Sequence, residues 1–431
     1  MAQSNIIVRE QAVYFGEEAS FGVTPAGSFP NAMTRTIVAD PITADGAVRE
    51  MLDVNDVRVR RLDAIQPVQG LEIASKFSAS LMLKATPSAS QLVAGASLSP
   101  LTPRLFLRHA LGTEYAADGS TVATGTSTTQ FDVQAGDGAN FAKGTIIAVA
   151  VAGQMEWALV TNVSTDTITV APALSGAPAT SAVVRNLYNY SPAESHTNSL
   201  TAQIAYVGDS TAQYTFNGAY GDISFSFGEF GKLVQMKLDL TAVSFTGPTA
   251  QTLSTATATD EMGTGFPLQP QVYLAAASAP TRGTTLVCEK FSIEFKNQWE
   301  MVRDPSATQT VAAVVDTGGR PRAAKAMLTL RFDHDYGTGF DAETRYSLTI
   351  VQRVGTGATA SFWVWNMNNV KLTAQPKLSK VGERLYMDLE FSALQDDASA
   401  GLPLGQRLEI LEPPDRVDQP LRDALGWWVD D

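Results

Sequence analysis

The sequence predicts a mostly-β protein of two tandem β-sandwich or half-barrel units, with at most one short helix in each unit. Apolar and polar residues alternate over much of the chain, which is the period of a half-buried strand. The chain also contains an internal repeat, because residues 232–243 (KLVQMKLDLTAV) lie without gaps on residues 383–394 (ERLYMDLEFSAL). The matched apolar residues fall on one face of a strand, so both copies present the same packing surface. Each copy follows another alternating segment, residues 222–227 and residues 369–374.

The sequence divides into a small number of segments between turn-rich stretches. The predicted segments are an N-terminal arm (1–30), a discontinuous first unit (31–111 and 190–245), an inserted small β domain (112–189), a linker (246–283), a second unit (284–395) and an acidic C-terminal tail (396–431). Residues 76–83 (KFSASLML) of the first unit resemble residues 325–332 (KAMLTLRF) of the second unit, which supports the duplication.

The clearest helix is predicted at residues 101–111 of the first unit. Thr102 can cap this helix, Pro103 suits its first turn, and Gly112 ends it. The insertion shows four short strands separated by Gly-containing turns, at residues 130–133, 145–151, 156–161 and 166–170. This pattern is typical of a small β-barrel or sandwich that interrupts the first unit.

Composition limits the classes of function. The 431-residue chain carries 44 acidic and 31 basic residues, a formal net charge of −13. Such a surface repels phosphates, which argues against a protein that grips DNA or RNA but permits a channel through which DNA passes. The single Cys288 cannot form an internal disulfide and is expected in a core. We see no secretory signal and no apolar run of the ~20 residues that a membrane span needs, so we expect a soluble product of the cytoplasm.

Residue patterns for catalysis, cofactor binding or metal binding are not visible in the sequence. The chain has three histidines and one cysteine, without metal-ligand spacing or a nucleophile elbow. We therefore expect no enzyme activity, no cofactor and no metal. The aromatic run at residues 362–365 (FWVW) could stack on sugars, but burial of both of its faces is the favoured interpretation.

A long charged stretch at residues 45–63 is nearly charge-balanced, which suits a salt-bridged contact with another subunit; a solvated loop is the alternative. The candidate contact residues are Arg49, Asp53, Asp56, Arg58, Arg60 and Arg61. On residues 232–243, alternation places Val234, Met236, Leu238 and Leu240 in the core. The opposite set, which faces either a lumen or solvent, is Gln235, Lys237, Asp239 and Thr241.

Several of these features together resemble the tail tube proteins of long-tailed, siphovirus-like bacteriophages. The resemblance is carried by residues 16–27 (GEEASFGVTPAG), by the paired segments DISFSF…KLVQMKLDLTAV and NVKLTA…ERLYMDLEFSAL, and by the interrupting barrel. In that family six tube domains close into a ring whose inner strands form a continuous barrel, and the rings stack into a tube that carries DNA. Long loops and terminal arms join one ring to the next.

The resemblance implies that this chain is a structural virion protein, made in the host cytoplasm, with itself and other tail proteins at the two tube ends as partners. DNA would pass through an acidic or neutral lumen without specific binding, and the inserted domain would face outward. Because the chain contains two units, three chains per ring with pseudo-sixfold symmetry are favoured over six. The alternatives are another virion β-protein, of a baseplate or a capsid decoration, and a carbohydrate-binding β-sandwich protein or glycosidase.

Overall fold

The structure is a computed structural model that describes residues 10–23, 34–36, 42, 44–45, 48–52, 68–73, 75–83, 102–115, 119–192, 199–207, 212–228, 232–250, 268–276, 285–297, 299–303, 311–316, 323–331, 336–357, 360–381, 384–394 and 410–412. Within these residues the fold is mostly β with short helices, which confirms the predicted fold class. None of the described helices has the length and apolar character needed to cross a lipid bilayer.

The first unit begins with a series of strands and one helix. These elements are β1 Glu10–Glu17, β2 Thr34–Thr36, β3 Ala44–Asp45, β4 Val48–Leu52, β5 Val68–Ile73, β6 Ser75–Met82 and α1 Thr102–Leu111. Helix α1 confirms the predicted helix, and Gly112 directly after it has a left-handed φ of 89° that ends the helical path. Phe106 of α1 packs edge to face on Phe15 of β1, with ring centroids 4.7 Å apart, so the helix is anchored in the core of the first unit.

A closed six-stranded barrel then interrupts the first unit, as predicted. The elements of this region are β7 Gly112–Tyr115, β8 Ser120–Gly125, β9 Gln130–Val133, β10 Ile146–Val151, β11 Gln154–Ser164, β12 Thr167–Ala171, β13 Val183–Asn186 and β14 Tyr188–Pro192. The barrel order is β10-β11-β12-β9-β8-β13, around its own apolar core. Because β7 pairs antiparallel with β14, the chain enters and leaves the insertion through one two-stranded neck.

After the insertion the first unit resumes and the second unit follows. The remaining elements of the first unit are β15 Leu200–Val207, β16 Ala212–Phe227, β17 Gln235–Ala242 and β18 Ser244–Ala250. Those of the second unit are β19 Gln271–Ala276, β20 Thr285–Lys296, β21 Trp299–Arg303, β22 Val311–Asp316, β23 Ala323–Arg331, α2 Gly337–Asp341, β24 Arg345–Val354, β25 Ser361–Leu372, β26 Lys377–Val381 and β27 Arg384–Ala393. Strand β28 Ile410–Glu412 pairs with β14 near the neck of the insertion.

The two units share one topology, which we describe as strands A to F in chain order. Strands A to F are β1, β2–β3, β6, β15, β16 and β17 in the first unit, and β19, β20, β23, β24, β25–β26 and β27 in the second unit. In both units a two-stranded ribbon lies between strands B and C, and a helix lies between strands C and D. In the second unit the six strands close into a barrel through the pairing of β19 with β20.

The register of the strands is also repeated between the units. Lys76 of strand C lies opposite Thr241 of strand F, and the equivalent Lys325 lies opposite Ser392. Residues 222–227 and residues 369–374 are not equivalent position by position, because Tyr220, and not Ser224, takes the position of Lys371, a difference of four residues. Strand E also carries two extra residues near Pro376, which lacks an N–H for the sheet and separates β25 from β26.

Alternation explains which side chains fill the core. Val234, Met236, Leu238 and Leu240 are buried, as predicted, together with the apolar faces of the neighbouring strands. Burial of both faces of residues 362–365 is also confirmed: Trp363 and Trp365 lie in the main core, and Phe362 and Val364 lie in a separate apolar cluster. Cys288 is buried in the main core, where burial raises the pKa of its thiol to about 12.

Some predicted segment limits need correction. Strand β1 falls within residues 1–30, which were expected to be an arm, yet it is a central strand of the first unit. Residues 246–283 were expected to be a linker, but they contain most of β18 and the whole of β19, which is strand A of the second unit. Strand β18 is rich in small residues and Thr, whereas β1 and β19 contain runs of consecutive apolar residues at 12–15 and 272–276, so none of the three shows the alternation of a half-buried strand.

Candidate assembly interface

The two units are joined edge to edge by one pair of strands. The second half of β16, strand E of the first unit, pairs antiparallel with β20, strand B of the second unit. The pairs include Ile223 with Phe295, Phe225 with Ile293 and Phe227 with Phe291. The B, C, F and E strands of both units therefore form one continuous sheet of the order β3-β6-β17-β16-β20-β23-β27-β26.

Aromatic and polar contacts close this junction from the core side. The rings of Phe225 and Trp365 lie 5.7 Å apart between centroids, and those of Phe227 and Phe291 stack at 5.9 Å. Gln352 accepts a hydrogen bond from the backbone N–H of Val234 at 3.3 Å. Because all six residues are fully or nearly fully buried, the junction is packed like the interior of a domain.

A polar clamp holds the base of the second ribbon, β21–β22, on the first unit. The Asn297 side chain donates to the carbonyl of Ala110 at the end of α1 at 2.6 Å, and its backbone N–H donates to the Asp222 carboxylate at 2.8 Å. The Trp299 indole N–H donates to the carbonyl of Gly221 at 3.3 Å, and its ring packs on Tyr220. The two units therefore share a ribbon base in addition to a sheet.

Burial of the Asp222 carboxyl raises its pKa from 3.8 to about 6. The Asn297 N–H and the Lys296 charge lower it, and the charges of Asp239 and Glu294 raise it. Asp239 lies directly opposite Asp222 on the neighbouring strand. The junction therefore contains a carboxyl group that titrates near neutral pH.

The continuous sheet has one core face and one outward face. All four lumen-or-surface candidates, Gln235, Lys237, Asp239 and Thr241, lie on the outward face. Lys237 pairs with Asp239 at 2.8 Å, and Ser78 donates to the same carboxylate. The other polar residues of this face include Ser224, Ser226, Ser292, Glu294, Lys325, Thr329, Asp388 and Glu390.

Charges on the outward face are compensated from strand to strand. Glu294 lies opposite Lys325, and Lys377 lies opposite Asp388, which also accepts a hydrogen bond from Thr329 at 2.7 Å. The face is therefore a mixture of both signs, whereas a uniformly acidic face could have been expected from the net charge of −13. Opposite charges on neighbouring strands stabilise the sheet and reduce the net field above it.

The charged stretch at residues 45–63 is only partly described. Arg49 lies in β4, opposite Glu72 of β5, so part of the expected loop is a two-stranded ribbon separate from the main sheet. The other contact candidates, Asp53, Asp56, Arg58, Arg60 and Arg61, lie outside the described residues. The ribbon β4–β5 has the same place in the topology of the first unit as the ribbon β21–β22 has in the second unit.

The inserted barrel packs against the second unit through its outer surface. Trp157 lies edge to face with Tyr273 of strand A, with ring centroids 5.2 Å apart, and Phe362 and Val364 of β25 join the same cluster. Arg353 donates to the Gln154 side chain at 2.8 Å. This packing covers the surface that strands A, D and E of the second unit turn away from the main core. In the closed strand order of that unit, strands A and D lie across from strands C and F, which belong to the continuous sheet.

The motif at residues 16–27 contains a buried carboxylate. Glu18 is 2% exposed and accepts four hydrogen bonds, from Ser199 Oγ, Thr201 Oγ1 and the backbone N–H groups of Gly22 and Gly218. These bonds fix the turn after β1 to strands D and E. The sequence shows this motif only as a resemblance, because three of the four donors lie 181, 183 and 200 residues from Glu18.

The described residues give little support to a catalytic or sugar-binding site. Trp363 and Trp365 are both 0% exposed, so neither can stack on a sugar. No group of three or more potential metal ligands occurs among the described residues. Sequence reasoning missed the junction residues Gln352 and Trp365 and the exposed Leu378, because their roles depend on pairing between distant strands.

Comparison of the chain with protein-family models and with curated proteins finds no match.

Proposed function

We propose that this chain is the subunit of a stacked-ring tube, of the kind that forms the tail of long-tailed bacteriophages and conducts DNA to the host. The observation that carries the proposal is the duplicated topology, with the two units joined edge to edge through strand E of one and strand B of the next. This contact is heterologous, because it uses two different surfaces. It leaves strand E of the second unit and strand B of the first unit at opposite ends of the continuous sheet.

A heterologous contact that is repeated between chains generates a ring when its rotation closes and a filament when it does not. Three chains with two units each provide six equivalent positions, so we infer a trimeric ring with pseudo-sixfold symmetry. Closure also removes the exposed sheet edges, which are otherwise prone to uncontrolled pairing. Ring-to-ring contacts fall to the ribbons β4–β5 and β21–β22, and the tube ends contact tail-tip and head-proximal tail proteins.

The outward face of the continuous sheet is the proposed lumen wall. It is supported by the packing of the second unit, since the opposite outer face of that unit is covered by the inserted barrel. Lys237 and Lys325 have carboxylate neighbours on this face, so passing phosphates meet few uncompensated cations. DNA can then move without the counterion exchange that tight phosphate contacts require.

Negative-stain electron microscopy across a concentration series, with mass measurement of isolated rings, tests the proposal. We expect hollow tubes or stacked rings, each ring containing three copies of the 45.9-kDa chain. Six chains per ring would contradict the trimer. Monomers that also fail to extend isolated tail tips would contradict the tube and favour a baseplate or decoration protein.

Charge reversal tests the lumen assignment. Asp239→Lys leaves two cations side by side on the proposed wall and should slow DNA ejection from assembled particles. Asp341→Lys, at an exposed position at the end of α2 and off the continuous sheet, is the matched control. Ejection kinetics equal in the two variants would remove Asp239 from the lumen.

A further inference from the structure

Strand E is covered in the first unit and open in the second. The second half of β16 lies against β20, and its residue Phe225 is 1% exposed. The neighbouring Val234, directly before strand F, is 0% exposed. Among the described strands β26 pairs with β27 alone. Leu378 of β26 and Leu385 of β27 are 58% and 42% exposed.

The two exposed leucines occupy the positions in the second unit that the covered residues Phe225 and Val234 occupy in the first unit. Leu378 lies opposite Met387, as Phe225 lies opposite Met236 in the repeat. Leu385 is equivalent to Val234 in the gapless alignment of strand F. The internal junction therefore shows what kind of surface covers this edge when it is filled.

The covering residues of the internal junction have equivalents on the first unit. Strands D and E pair in the same register in both units, so Trp365, opposite Ile350, is equivalent to Tyr214, opposite Ile204. Two residues further along strand D, Gln352 is equivalent to Tyr206. Tyr206 and Tyr214 are only partly buried and pack edge to face, with ring centroids 5.9 Å apart. A partly exposed aromatic pair is a suitable partner for two exposed leucines.

We propose that Leu378 and Leu385 of one chain pack on Tyr214 and Tyr206 of a second copy of the same chain. This inference rests on the proposed ring and assigns its lateral contact. The sheets join in the register of the internal junction, so Lys377 takes the position of Ser224. The residue across from it is then Asp45, at the position of Glu294, which adds charge complementarity.

The same equivalence assigns a role to Lys380. It occupies the position of Phe227, which stacks on Phe291 in the internal junction. A lysine on an open edge disfavours uncontrolled strand pairing, because its charge must be desolvated when the edge is covered. Lys380 therefore keeps the contact between chains weaker than the contact within a chain, so that free subunits stay unassembled at low concentration.

Cysteine cross-linking tests the residue assignment. Leu378→Cys and Tyr214→Cys chains are mixed at assembly concentration and treated with a short thiol cross-linker; the buried Cys288, with its raised pKa, stays unreactive. We expect covalent dimers from the mixture, and a ladder ending at the closed ring from the double variant. Tyr214→Cys mixed with Met327→Cys, an exposed residue on the outward face, should give none. Efficient dimers from Leu378→Cys alone would indicate a symmetric contact and overturn the proposal.

Assembly measurements distinguish failure of this contact from failure of the ring. Lys380→Phe should lower the concentration for half-maximal assembly on the order of tenfold, and Leu378→Glu should raise it by a similar factor. Met327→Glu is the control and should leave it unchanged. Rings that form without the Leu378–Tyr214 cross-link would overturn this contact but leave the proposed function intact. Absence of assembly and of cross-links, with Lys380→Phe included, would overturn both.

Discussion

Replacement of Asp222 by Asn should stabilise the protein at neutral pH. The Asp222 carboxyl is half-buried at the junction, lies opposite Asp239 and has a pKa of about 6 in place of 3.8. A difference of this size corresponds to roughly 3 kcal/mol against the ionised form. Because solvent reaches part of the carboxyl and screens its charge, we expect about 1–2 kcal/mol. Asn keeps the oxygen that accepts the Asn297 N–H and removes the charge.

The sign of the pH dependence follows from the raised pKa of Asp222. Between pH 3.8 and about 6 the folded protein binds more protons at this site than the unfolded chain. The stability that this site contributes is therefore fully present below pH 3.8 and is lost as the pH rises through about 6. The advantage of Asp222→Asn should accordingly be absent near pH 4 and complete near pH 7.

Thermal unfolding of the wild type and Asp222→Asn from pH 4 to pH 8 measures this difference. We expect the variant to melt on the order of 2 °C higher at pH 7–8, with the curves converging at pH 4. Asp388→Asn is the matched control on the same face, because Asp388 faces Thr329 and Lys377 instead of a carboxylate. A variant that is no more stable than wild type at pH 8, or a gain independent of pH, would refute the reasoning.

Three further substitutions test the packing of the first unit and the insertion. Glu18→Ala removes the shared acceptor of four hydrogen bonds and should lower the free energy of unfolding by roughly 2–4 kcal/mol in denaturant titration. A loss under ~0.5 kcal/mol would contradict this role of Glu18. Gly221→Ala places a Cβ 2.3 Å from a backbone oxygen and should cost roughly 2 kcal/mol or more, whereas Gly228→Ala, with open space, should cost little in the same assay. Trp157→Ala should release the inserted barrel from the second unit. We expect faster amide hydrogen exchange in β25 and unchanged protection in β10. Unchanged exchange in β25 would argue against this packing of the barrel on the second unit.

The helix and the core faces could be predicted because their signals are local. Thr102, Pro103 and Gly112 mark the limits of α1 within twelve residues, and alternation identifies the buried face of β17 without knowledge of its partners. The register of strand E could not be predicted in the same way. A shift of four residues keeps every side chain on its own face, so a period of two cannot detect it.

The candidate interface depended on contacts between distant parts of the chain. Gln352 and Trp365 become junction residues only because β20 pairs with β16, and a sequence pattern contains no information about that choice of edge. The sequence pattern around Leu378 is that of an ordinary strand residue. Its exposure follows from the absence of a further strand beside β26 among the described residues.

By itself, the sequence determined the mostly-β class, the duplication, the interrupting barrel and the buried faces of the strands, since each is set by residue spacing along one segment. The tertiary structure alone decided that the two units join edge to edge, that the barrel packs on the second unit, and that Asp222 lies opposite Asp239. These features are contacts between segments far apart in the chain. They are selected by how well complete surfaces fit, which no single segment encodes.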